Sequence, residues 1–248
     1  MAYSPIDKPN TQMNPVLYAG NGGTQSITGV GFQPDFVWYK CRSFAYNHGL
    51  FDVVRGASNF IQSNSTDAEQ VTSGVTAFDS DGFSVGSDAG GNASGQTYVG
   101  WNWKAGGTAS SNTDGSITSS VSANTTNGFS VVTWTGTGAN ATIGHGGIGT
   151  PKLIFVKATS RVDSWRVYSE SIGNTKYLVL NETGASATNS TEWNNTSPTS
   201  SVFTVGSSGN VNRSAETFIA YCFAEKQGFS KFGSYVGNGS ADGTFVYT

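Results

Sequence analysis

The sequence is short of charge: 13 Lys and Arg stand against 16 Asp and Glu in 248 residues, a formal net charge of −3. No basic run occurs, and a phosphate backbone requires clustered cations, so no nucleic-acid partner is expected. Long apolar runs are missing too. None approaches the roughly 18–20 residues that span a bilayer, and no membrane insertion is expected. Residues 1–14 lack the apolar region of a signal peptide. The two cysteines, Cys41 and Cys222, are too few for a disulfide framework. Each falls in an apparent strand and reads as a free, small core residue. The strong helix formers give way to 33 Gly and to abundant Ser, Thr and Asn. What is present in quantity is aromatic: 6 Trp, 10 Tyr and 15 Phe supply apolar surface that a disordered polar tract would lack. The mixture points to short strands joined by tight turns.

The chain also repeats itself. "PDFVWYK" (Pro34–Lys40) matches "PKLIFVK" (Pro151–Lys157), and the same offset brings Gly56 onto Gly173, Asn64 onto Asn181 and Thr66 onto Thr183. At a slightly longer offset, Phe83–Trp103 matches Phe203–Phe223. There Asn92, Ser94 and Thr97 fall on Asn212, Ser214 and Thr217, and Trp101 and Trp103 fall on Tyr221 and Phe223. A third, partial copy begins at Gln227, where "QGFSKFGSYVGNGSADGTF" follows the pattern of "NGFSVVTWTGTGANATIG" from Asn127.

Each copy reads as strands. "DFVWYK" and "LIFVK" are compact apolar runs, as in a sheet buried on both faces. "TYVGWNWK" alternates, with Val99, Trp101 and Trp103 on one face. Asp81-Gly82 is a hairpin turn signal. The expected fold is all-β: two tandem β-sandwiches of jelly-roll or lectin-like type, with a C-terminal hairpin that begins a third repeat. The expected divisions are a leader over 1–15, repeat one over 16–105, a Ser/Thr/Gly-rich linker over 106–127, repeat two over 128–227 and the partial hairpin over 228–248. Ile117 and Val121 lie in β-favouring surroundings, so part of the linker can form an edge strand. The terminal hairpin has three placements open to it: folding back on repeat two, adding strands to a neighbouring subunit, or starting a third domain. In an assembled particle, at least half of its aromatics Phe229, Phe232, Tyr235, Phe245 and Tyr247 are expected to be buried.

Motifs with chemical content are weak. "GHGGIG" (Gly144–Gly149) satisfies a dinucleotide-loop spacing, but a strand follows it where a helix is required. Asp79-Ser80-Asp81-Gly82 resembles the opening of a calcium loop and lacks the later ligands. His48 and His145 have no histidine counterparts, and no nucleophile elbow or metal-ligand spacing accompanies them. Asp35 and Asp52 could serve as paired carboxylates for sugar hydrolysis, but repeat two replaces them with Lys152 and Ser169. Copies that keep aromatics and lose acids point to packing, so no catalytic residue, cofactor or metal site is assigned. Trp38, Trp101, Trp103, Phe155, Tyr221 and Phe223 are assigned to the core. Tyr46, Trp165 and Trp193, on loops, are the candidates for stacking against a glycan.

"YAGNGGTQSITGVGFQPDFVWYK", "FDSDGFSVGSD", "TYVGWNWKAGG" and "FIAYCFAEKQGFSKFGSYVGNGSADGTFVYT" together resemble an uncharacterised tandem-repeat domain of phage tail-fibre and virion structural proteins, many of them marine. The resemblance covers nearly the whole chain. It implies a virion protein made in the host cytoplasm, first a tail fibre or appendage for host attachment, with a capsid decoration or head-fibre protein and a non-catalytic carbohydrate-binding module as alternatives. It further implies self-association, with a homotrimer as the first expectation, contacts with other virion proteins, and a host-surface polysaccharide as the external partner. Residues 1–15 resemble the leader that precedes the first repeat in such proteins.

Overall fold

The structure is a computed structural model and describes residues 6–245. Repeat one contains β1 (Met13–Ala19), β2 (Gln25–Ile27), β3 (Phe36–Cys41), β4 (Gly49–Asp52), β5 (Asn59–Phe60), β6 (Gln70–Val71), β7 (Val75–Asp79), β8 (Gly82–Val85), the short helix α1 (Ala89–Asn92) and β9 (Thr97–Trp103). One sheet runs β1-β9-β3-β4 and a second runs β2-β8-β7. Repeat two contains β10 (Ser110–Asn112), β11 (Ser119–Asn124), β12 (Phe129–Thr135), β13 (Ala141–Gly144), β14 (Pro151–Ala158), β15 (Arg166–Ser169), β16 (Lys176–Tyr177), β17 (Ala187–Thr188), the helix α2 (Ser190–Trp193), β18 (Val202–Val205), the helix α3 (Gly209–Asn212) and β19 (Thr217–Ala224). Its large sheet runs β10-β11-β12-β19-β14-β15 and faces the pair β13-β18. The fold is all-β, and its paired antiparallel sheets are those of a β-sandwich.

Each sandwich has its own core. In repeat one, Val37, Tyr39 and Phe51 of the large sheet meet Ile27, Val75, Phe83 and Val85 of the small one. In repeat two, Val132, Trp134, Ile154, Phe218 and Cys222 meet Ile143, Phe203 and Val205. Both cysteines are free and buried. The two copies share one polar device. Asn92 and Asn212 are fully buried, and each accepts the N–H of the turn after the first strand, from Asn21 and Thr137 respectively, at 3.0 Å. Each amide also donates to a carbonyl, Asn92 to Gly86 and Asn212 to Ala139. That satisfies buried groups that would otherwise be costly. The close approach requires glycine: a Cβ at Gly20 or Gly136 would lie 2.2 or 2.3 Å from the carbonyl oxygen of Ala93 or Arg213.

The copies differ at two places, and a third departure from expectation lies in the terminal segment. The segment expected to be a linker is part of the second sandwich: β11 pairs along β12 and buries Val121. The matching position in repeat one, outside β1, has no strand among the described residues. Pro15 sits in the middle of β1, and proline is tolerated on such an edge; its counterpart in β12 is Val131. Second, β7 has no counterpart strand among the described residues. In its place α2 drives Trp193 into the core, where the indole meets Tyr168 edge to face at 5.9 Å and donates to the Lys176 carbonyl at 3.0 Å. Third, the expected terminal hairpin does not form among the described residues, where 228–245 contribute only the isolated bridge Lys226–Ser230. Its strand models, β1 and β12, pair with β9 and β19, and both edges of β9 and β19 are already occupied. Phe229 and Phe232 are half-buried, Tyr235 and Phe245 are 70% and 86% exposed, and Tyr247 lies outside the described residues.

The outer faces of the two large sheets pack against each other. Phe36, Leu50 and Ile61 of repeat one form one buried cluster with Phe129, Val131, Ile219 and Tyr221 of repeat two. Phe36 lies 4.3 Å from the ring of Tyr221 and 5.7 Å from that of Phe129, measured between centroids. Phe36→Ala is therefore expected to cost about 3–5 kcal/mol, and the unmodified chain to melt in one cooperative transition. Calorimetry checks both; two resolved transitions in the unmodified chain would show that the repeats fold independently.

Candidate functional site at the seam between the repeats

The alternation in β9 and β19 puts Tyr98, Gly100 and Asn102, and Phe218, Ala220 and Cys222, toward the sandwich interiors. Trp101, Trp103, Tyr221 and Phe223 therefore point the other way. This corrects the core assignment: Trp38, Trp103, Phe155 and Phe223 are partly buried in the seam cluster and Tyr221 is fully buried there. Trp101 is half-buried at the seam's margin, edge to face with Trp38 at 6.2 Å. Trp103 and Phe223, equivalent residues of the two copies, meet each other at 6.3 Å.

Within this apolar seam lies one ionic cluster. Asp52 is fully buried. Its Oδ1 accepts the N–H groups of Val54 and Arg55 at 3.1 and 3.0 Å, and its Oδ2 accepts Arg55 Nε at 2.7 Å and the Tyr221 hydroxyl at 2.9 Å. Arg55 also donates from Nη1 to Glu69 Oε2 and from Nη2 to the Leu50 carbonyl, each at 3.0 Å. Burial alone would lower the Arg55 guanidinium, but Asp52, Tyr221 and Glu69 hold it above its usual value. Burial pushes the Tyr221 hydroxyl well up. Asp52 is spent on four hydrogen bonds, so the cluster acts as an ionic rivet between the repeats and offers no free acid or base. Sequence reasoning missed Arg55 and Glu69, whose counterparts are Ile172 and Ser186. The available signal was an Arg three residues after an Asp in a charge-poor chain.

The glycan candidates scatter. Trp165 is fully buried in the seam, donates to the Gln62 carbonyl at 2.8 Å and stacks on Tyr221 at 6.3 Å. Trp193 is the core plug of repeat two. Neither can stack on an external ring, because both indoles are enclosed, Trp165 between the repeats and Trp193 within repeat two. Tyr46 alone is accessible: it is half-buried, lies 4.7 Å from exposed Phe44, and borders a polar cleft of about 270 Å³.

Other titratable groups are held by backbone. Asp35 is buried and accepts the N–H groups of Ala105 and Gly107, with burial raising its pKa. Asp81 divides its two oxygens between the N–H groups of Gly29 and Gly31, fixing the turn that resembled a calcium loop. Among the described residues, no group of three or more His, Cys, Asp or Glu could hold a metal ion. His48 accepts the Trp38 indole N–H at 2.8 Å, and burial keeps its pKa low. Burial also lowers His145, which is fully enclosed near the Thr199 carbonyl. No helix among the described residues is long and apolar enough to cross a membrane.

Lys40 and Lys157, equivalent in the two copies, both tether loop carbonyls. Lys40 Nζ donates to Cys41, Phe44 and Tyr46, and Lys157 Nζ donates to Ala158 and Arg161. Lys157 is fully enclosed, and burial lowers its pKa from 10.5 to about 8. Between these values the unfolded chain holds the proton more tightly, so stability rises with pH across that window. The stability difference between the unmodified chain and Lys157→Met should therefore shift in favour of the lysine by about 3 kcal/mol from pH 8 to pH 10.5. Urea unfolding of the two proteins at each pH measures it, and the subtraction removes tyrosine ionisation. A flat difference would mean that Lys157 stays charged when folded.

No curated protein and no solved structure matches the chain. A family model described as a domain of unknown function (DUF7483) matches residues 8–248, a span that takes in both sandwiches, the seam and the ionic rivet. The chain therefore belongs to the DUF7483 family.

Proposed function

We propose that this chain is a structural protein of a phage virion, most specifically of a tail fibre or comparable appendage that serves host attachment. The observation that carries this reading is the tandem duplication of one sandwich, with the copies fused face to face through aromatic side chains and an ionic rivet. That arrangement builds a stiff body from a repeated part, as an appendage requires. The resemblance of its repeats to virion proteins supports the same reading. A catalytic role is no part of it, since Asp52 and Asp35 are committed to internal hydrogen bonds. Self-association belongs to the proposal, with a trimer as its first form, together with contacts to other virion proteins. It is supported by the apolar side chains left outward, among them Leu17 at 66% exposure on β1 and Val236 at 85%.

Immunogold labelling of virions with antibodies against the chain tests the location. Gold on tails or their fibres is the expected result; labelled heads with bare tails would make the protein a capsid decoration instead. Light scattering on the purified chain tests the assembly, and a monomer at every accessible concentration would remove self-association from the proposal.

A further inference from the structure

Beside the ionic rivet lies an open groove of about 470 Å³ lined by both repeats, which meet there through the Glu69 N–H and the Thr159 carbonyl at 2.8 Å. That volume is in the size range of small-molecule sites. Its floor is the outer face of the large sheet of repeat two. Phe129 and Val131 of β12 lie in the seam, so Thr133 and Thr135, at the same parity, continue that face. Ser120 is the register partner of Thr133, and Thr217 that of Thr135. Thr159 meets Thr217 hydroxyl to hydroxyl at 2.7 Å. Arg55 and Glu69 of repeat one form the wall.

Thr217 has Thr97 as its counterpart, but the rest of the row belongs to repeat two alone. The positions of Thr133 and Thr135 are taken by Leu17 and Ala19 in β1, and β1 has no strand in the place of β11. Strand propensity does not require a run of hydroxyls here, and an apolar seam would be extended more simply by aliphatic side chains. The hydroxyls of Ser120, Thr133 and Thr135 make no hydrogen bond to protein among the described residues, although Ser120 and Thr133 are half-buried. Glu69 gives Oε2 to Arg55 and leaves Oε1 without a donor among the described residues, with about 28% of its side chain exposed.

We infer that this groove is a saccharide-binding site, selective for neutral sugars. Serine and threonine hydroxyls both donate and accept, which suits a ligand whose own groups are hydroxyls. A carboxylate oxygen adds the stronger charge-assisted acceptor. The local charge argues against anions: two carboxylates, Asp52 and Glu69, face one guanidinium, and that guanidinium is already engaged. The site exists only where the repeats meet, since its floor and its wall come from different copies. It does not rest on the virion reading, because binding is measured on the isolated chain.

The test is NMR titration of the full chain with glucose, galactose and N-acetylglucosamine, with glucuronate and inorganic phosphate as anionic probes. At least one neutral sugar is expected to give saturable amide shifts centred on Ser120, Thr133, Thr217 and Glu69. Glu69→Gln should weaken that binding about tenfold. Since this change also touches the rivet, Thr133→Val provides the second variant: it keeps shape and strand preference, and should weaken binding severalfold with an unchanged spectrum elsewhere. The inference is overturned by the absence of saturable shifts with all three neutral sugars, by tighter binding of glucuronate or phosphate, or by full affinity in Thr133→Val.

Discussion

The contact between Phe36 and Tyr221 is the point on which the rest of this structure depends. It places an aromatic ring of each large sheet in the other's outer face, and burial of such rings contributes more than any polar contact the seam could make in its place. Once the faces meet, Asp52 and Arg55 are sealed from water, and Tyr221 and Glu69 complete the hydrogen bonds that a buried ion pair requires. The Tyr221 ring supports the apolar contact and its hydroxyl supports the ionic one, so the two cannot be separated. The loop carrying Trp165 docks by the same logic, with its ring on Tyr221 and its N–H on a carbonyl of the other repeat.

Much of the fold was legible because the chain is written twice. Comparing the copies exposes what both must have: it matched Asn92 with Asn212, β3 with β14 and β9 with β19, and the alternation along β9 was plain in its own residues. Period-two alternation names a face without saying which way it points. Here both faces are buried, one inside a sandwich and one in the seam, so Trp103 and Phe223 looked like interior residues. The same comparison is blind to whatever only one copy holds. Arg55, Glu69, the hydroxyls of Thr133 and Thr135 and the plug Trp193 face residues of a different kind at the matching positions, so the comparison gives no sign of them. Trp193 was read as a loop residue because a four-residue helix standing in for a strand leaves no periodic trace.

The divergence follows a physical division of labour. Repeat one keeps its first strand at an edge with Pro15 in it, and repeat two extends the same edge with β10 and β11. Repeat one supplies the buried charges, and repeat two supplies the tyrosine and the polar sheet that surround them. Neither copy is therefore a spare of the other, and the proposed groove takes its floor from one and its wall from the other.

The meeting of Trp103 with Phe223 has a consequence for growth. Equivalent residues touch at this one point, while elsewhere the seam joins unlike partners, Phe36 with Tyr221 and the charges of repeat one with the tyrosine of repeat two. Solenoids propagate because each unit has a distinct front and back. Here the outer face of each large sheet is covered by the other repeat, so a further unit of the same kind would attach through chemistry other than the aromatic seam.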